Sequence, residues 1–170
     1  GSFFPGKQMN FRVFLEWFHR LDAFLVATAF LGQLFVSLLW RSEVPKWLPW
    51  LYGGLVILVL FQAVLGALTV IELLPSYVVT GHLAIALILV AFLSALTQFL
   101  SNTSYLPAPL WWRLMGGGGL GLVFIQSVIG GEMASSWASR LCLGQRIGCE
   151  LLEFHRGIAI LVGLFVLLFV

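Results

Sequence analysis

Five stretches of this chain are long and apolar enough to cross a bilayer: Leu21–Trp40, Leu48–Ile71, Val78–Leu100, Leu114–Gly131 and Leu151–Val170. A helical span needs about 20 mostly apolar residues. Composition agrees: 61% of the 170 residues are hydrophobic and 9% are charged, against about 45–50% and roughly 25% in soluble domains. A soluble fold of this size leaves roughly 30% of the unfolded surface in water, too much for so apolar a chain. The sequence predicts an all-α membrane protein with five transmembrane helices. Pro45, Pro49, Pro75, Pro107 and Pro109 fall between or at the edges of the runs, where helix breaks belong. Trp40, Trp47, Trp50, Trp111 and Trp112 cluster around two of the connections, as an interfacial belt does. No cleavable signal is recognisable at the start. The net charge of +2 is too small and too scattered for nucleic-acid binding.

With five spans the connections alternate sides. A first face carries residues 1–20, Glu72–Tyr77 and Glu132–Glu150; a second carries Arg41–Lys46 and Ser101–Arg113. Six Lys and Arg (Lys7, Arg12, Arg20, Arg140, Arg146, Arg156) go to the first face and three to the second, which by the positive-inside rule points the first face to the cytoplasm. The same face holds six acids, Glu16, Asp22, Glu72, Glu132, Glu150 and Glu153, so the count does not settle orientation. The last run ends at Leu167-Leu168-Phe169-Val170 without a polar stop, and the expectation is a portion of a longer protein.

The three histidines fall at one depth. His19 precedes the first span, His82 opens the third and His155 opens the fifth, and these helices run the same way. Ionisable residues within a membrane are costly and usually functional, and neutral imidazoles projecting from facing helices suit a haem iron. Glu16 is three residues before His19, on the same helix face and about 4.5 Å nearer the first surface, placed for proton or substrate chemistry or for favourable contact with the helix dipole. Arg20 and Arg156 each follow a histidine; they reach haem propionates or snorkel to headgroups.

The chain repeats itself. At an offset of 136, Leu15, Phe18, His19, Arg20, Ala23, Leu25 and Val26 meet Leu151, Phe154, His155, Arg156, Ala159, Leu161 and Val162; Leu152 stands where Glu16 would repeat. At an offset of 64, Phe61-Gln62-Ala63-Val64-Leu65-Gly66 meets Ile125-Gln126-Ser127-Val128-Ile129-Gly130. The building block is a helix with Gln-x-x-x-Gly, a first-face loop and a helix opening with His, a duplication pattern. It divides the chain into residues 1–105, a first half lacking its first helix, and 106–170, the start of a second half, with one helix missing upstream and roughly two downstream.

Cys142 and Cys149 lie in the long first-face loop. They form neither a C-x-x-C nor a zinc spacing. A disulfide is feasible and would need an oxidising compartment, tipping the first face outward; two free thiols are the alternative. Gly116–Gly119 lacks the Gly-Lys-Ser/Thr of a phosphate loop and reads as close helix packing.

Together, Glu16-Trp17-Phe18-His19-Arg20, Gln62-x-x-x-Gly66, Gly81-His82, Gln126-Ser127-Val128-Ile129-Gly130-Gly131, the cysteine pair and Glu153-Phe154-His155-Arg156 resemble the haem A synthase family over nearly the whole chain. The resemblance implies eight helices in two four-helix halves, of which this chain matches the second to sixth. It implies a membrane oxidoreductase that converts a methyl group of haem O, through an alcohol, to the formyl group of haem A. His19 and His82 would then face each other at the substrate haem with Glu16 as the essential acid. His155 would be an axial ligand of a b-type haem, and Cys142 and Cys149 the cysteine pair of the second half. The partners expected are haem O, haem O synthase, an unidentified electron donor and the bilayer, with homo-oligomers open. The location expected is a bacterial plasma membrane, histidine face outward. Two other readings are a bis-histidine cytochrome passing electrons to or from quinone, which needs no Glu16, and an assembly scaffold with structural histidines.

Overall fold

The computed structural model describes residues 10–73, 75–101, 107–135, 138–145 and 149–169. Lys7 and Arg146, counted above for orientation, and the side chains of Arg12 and Arg140 lie outside the described residues. The elements are all helices: α1 Phe11–Leu39, α2 Leu48–Ile71, α3 Ser76–Leu100, α4 Leu110–Ser135, α5 Ala138–Gln145 and α6 Cys149–Phe169. All except α5 are long and apolar enough to cross a membrane, so the chain is a multi-pass helical membrane protein.

Helix boundaries follow local chemistry. Asn10 starts α1: its side chain accepts a hydrogen bond from Val13 N at 3.0 Å, satisfying a donor that the first turn cannot pair internally. The helix therefore begins ten residues before the apolar run, and Glu16, His19 and Arg20 lie inside it. This corrects the expectation that His19 precedes the first span. At 29 residues, α1 is about 44 Å long, against a hydrocarbon thickness of about 30 Å. Its polar early turns have interface and headgroup depth to occupy. Pro49 stands in the first turn of α2, where a missing N–H costs nothing. Pro75, extended at φ −65° and ψ 131°, precedes α3, and Pro109 O accepts from the N–H groups of Trp112 and Arg113 at the start of α4. Between α2 and α3 the chain turns through Leu73 at φ 57°, left-handed backbone that a side chain makes costly.

Few side chains are buried. Phe24, Ile57, Leu60, Ile160, Leu161 and Leu167 are among many large apolar groups left exposed, as befits helices that meet lipid tails and gain no hydrophobic stabilisation from covering every face. Hydroxyls inside the spans bond back to their own helices, Thr28 to Phe24 O and Leu25 O, Thr69 to Gly66 O and Ser127 to Val123 O, so these three donors are satisfied in an apolar setting.

The chain divides into two compact units, Gly1–Val64 and Leu65–Val170. In the first, an open apolar cleft of about 450 Å³ is lined by Gly32, Gln33, Val36 and Ser37 of α1 and by Leu48 and Tyr52 of α2; it contains none of the histidines. In the second, α4 is the central helix, packed against α3, α5 and α6, with α5 also against α6. Met133, Cys142 and Leu152 form its buried cluster, with Ile129 and Cys149 packed on it.

Candidate functional site

Both Gln-x-x-x-Gly helices meet a histidine in the same way. A Cβ placed on Gly66 would stand 3.4 Å from His82 Cε1 and 3.7 Å from its Nε2. One placed on Gly130 would stand 3.0 Å from His155 Cε1 and 3.5 Å from Nε2. In each case an imidazole edge lies against the backbone of the preceding long helix; a Cβ would press on the ring at Gly130 and make ordinary van der Waals contact at Gly66. The repeat at offset 64 is thus a repeat of contacts, and at Gly130 the absence of a Cβ, not conformational freedom, is what is used.

The second contact is fastened further. Gln126, one turn before Gly130, donates from Nε2 to the backbone carbonyl of His155 at 2.9 Å, and the same nitrogen lies 3.5 Å from His155 Nε2. His155 Nδ1 and Gln126 Oε1 are buried and make no hydrogen bond. Lower in the same interface, a Cβ on Gly119 would fall 2.5 Å from Phe165 Cε1, so α4 and α6 also meet closely there. The glycine run accordingly works through Gly119, whereas Gly117 and Gly118 have open space around them.

The end of this helix pair is closed covalently. Cys142 and Cys149 form a disulfide with a Cα–Cα distance of 4.9 Å, so the paired-cysteine reading holds and the free-thiol alternative does not. The bond ties α5 to the first residue of α6, and the buried cluster of Met133, Cys142 and Leu152 packs just before His155 along α6. This short helix went unrecognised in the sequence: eight residues with no apolar run give little signal.

Between α3 and α4 a further polar contact appears. Thr80 Oγ1 donates to Glu132 Oε2 at 3.1 Å, two residues before His82 and two after Gly130. Beside it, a Cβ on Gly131 would lie 2.9 Å from Leu83 Cδ2. Sequence reasoning counted Glu132 only as a loop acid. The available signal was an acid directly after Gly-Gly at the end of a span almost free of charge, since intramembrane acids usually have a named partner.

In the other unit, Glu16 and Arg20 pair across one turn of α1, with His19 exposed on the same helix. Arg156 is exposed beside His155. Among the described residues no group of three or more His, Cys, Asp and Glu side chains gathers as a chelating metal site would require; each histidine instead presents its ring singly, from its own helix.

Comparison with known protein families decides the kinship. The profile of the cytochrome oxidase assembly protein family, COX15-CtaA, matches residues 4–170. The chain belongs to that family. Its membrane spans, repeated histidine helices and disulfide are therefore those of a cytochrome oxidase assembly protein. No curated protein and no solved structure gave a match.

Proposed function

We propose that this member of the family is a haem A synthase, an oxidoreductase that converts a methyl group of haem O to the formyl group of haem A. The observation that carries the reading is the duplicated seat, Gly66 under His82 and Gly130 under His155, in a chain whose family serves cytochrome oxidase assembly. A duplicated imidazole seat suits two haem sites, one for substrate and one for a resident haem b. The residues fit such a group: the Nε2 edge of His155 is held by a long 3.5 Å contact to Gln126 that an incoming metal can displace, and the ring is seated against bare Gly130 backbone.

In this reading His19 and His82 hold the substrate haem and His155 is one ligand of haem b. A bound haem b supplies one-electron transfer capacity. Glu16 is the acid that holds or accepts a proton near the substrate; its ion pair with Arg20 holds it oriented until a substrate group competes for it. Arg20 and Arg156 have the charge to meet propionates. The histidine face lies outward across a bacterial plasma membrane, because the disulfide belongs to an oxidising compartment. Residues 1–105 and 106–170 are the two halves of the duplication. Haem O synthase and an electron donor are the partners this chemistry calls for.

The test is chromatographic identification of the haems in cells making the full-length protein beside a source of haem O. Haem A or its alcohol precursor, formed only when the protein is present, supports the proposal. Haem b alone, with haem O untouched, replaces it with the electron-carrying cytochrome, which the same two histidine seats would also serve.

A further inference from the structure

We propose that Gln126 is a positioning residue that sets the tautomer of His155, holding the proton on Nδ1 and leaving the Nε2 lone pair available. The deduction starts at the His155 carbonyl. A backbone carbonyl only accepts, so the amide end 2.9 Å from it is the nitrogen, and this assigns the two ends of the Gln126 side chain. The same nitrogen is 3.5 Å from His155 Nε2 and has only hydrogens to give. With the proton on Nδ1, Nε2 accepts one of them. With the proton on Nε2, two N–H groups confront each other and the ring makes no hydrogen bond at all. Nδ1 is buried without a partner in either case, so it does not distinguish the two forms, and the contact at Nε2 decides.

Gly130 is the second part of the device. The ring edge lies 3.0 Å from the position of a Cβ on that residue, which seats the imidazole on the backbone one turn from the Gln126 amide. At 3.5 Å the bond to Nε2 is near the outer limit of a hydrogen bond, so a group that takes the lone pair displaces little. The carbonyl bond keeps Gln126 in place when it does. Resting on the haem reading above, the lone pair so presented is the one an iron would take, and Gln126 selects the ligating form of His155 before haem arrives.

The full-length protein, prepared in lipid nanodiscs from haem-deficient cells and labelled with ¹⁵N-histidine, tests this directly. His155 should report a neutral ring protonated on Nδ1, and Gln126→Leu and Gln126→Glu should each move it towards the Nε2-protonated form. A wild-type ring already protonated on Nε2 overturns the proposal whether or not the variants fold. So does a ring unchanged in Gln126→Leu with helix content and disulfide intact. Titration with ferric haem b on the same samples should show affinity at the His155 site about tenfold lower in both variants, the lower end of the 10–100-fold cost of losing a ligand's supporting partner. Equal affinity removes the role of Gln126 in haem capture. If the wild type binds no haem at His155 yet shows the Nδ1 form, the haem reading fails and the tautomer assignment stands.

Discussion

α1 and α6 are related by the internal repeat, and their most telling difference lies just before the shared histidine. Leu15, Phe18, His19 and Arg20 correspond to Leu151, Phe154, His155 and Arg156, yet three residues before the histidine one helix has Glu16 and the other Leu152. The consequences are opposite. Glu16 is 55% exposed and paired with Arg20, whereas Leu152 is 8% exposed and buried with Met133 and Cys142. The same place on the same frame carries an exposed ion pair in one copy and a buried apolar contact in the other. Beside Leu152 stand a short helix and a disulfide, and the leucine packs against Cys142, which joins both. The duplicated helix keeps its histidine while the turn before it specialises.

Substitutions at the divergent position should separate these roles. Glu16→Gln should leave haem content unchanged and reduce haem A formation by 10²–10⁴-fold, about 3–5 kcal/mol of transition-state stabilisation if the acid moves a proton; a haem A yield equal to wild type removes Glu16 from the chemistry. The reciprocal change, Leu152→Glu, should destabilise the Leu65–Val170 unit by about 3 kcal/mol, because a carboxyl would enter an apolar cluster without a partner. Thermal unfolding in detergent reads it, and an unshifted midpoint would show that the cluster yields. Replacing both cysteines by serine should cost about 2–3 kcal/mol, the range for a short closed loop. Proteolysis should then cut first between α4 and α6, and resistance equal to that of the wild type would mean that the packing alone holds α5. The smallest effect belongs to the turn between α2 and α3. Leu73→Gly should raise stability by about 1 kcal/mol by relieving the left-handed strain at φ 57°, and a lower midpoint would show that the exposed leucine contributes contacts, with lipid for instance, that outweigh it.

Hydropathy predicted α2 at its observed limits, Leu48–Ile71, because prolines and a clean apolar run coincide there. It placed the start of the first span too late, since Glu16, His19, Arg20 and Asp22 interrupt the apolar run without interrupting the helix, and the signal for the true start is the single cap Asn10. The repeat made Gly66, Gly130 and their histidines legible as members of one block, although only coordinates show that each glycine touches its histidine. Gln126 was visible as a motif residue and invisible as a partner, because an amide's partner across 29 residues of sequence leaves no periodicity to read. Thr80 and Glu132 are farther apart still, at 52 residues, and neither type is distinctive by itself. The disulfide stood as one of two open readings, since spacing permits a bond without requiring it.

The stripe that α4 turns towards α6 fixes more than contacts. Gly119, Gln126 and Gly130 are separated by seven and four residues, whole numbers of helical turns to within a fraction, and each meets its own partner: Phe165, His155 carbonyl and His155 ring. A residue inserted between Gly119 and Gln126 would rotate one end of the stripe by about 100° relative to the other, so the two ends could no longer both face α6. Many substitutions on the lipid-facing side of α4 should be neutral, while a change of one residue in length should be ruinous. In an alignment of relatives this helix should therefore drift freely in composition and hardly ever carry a gap.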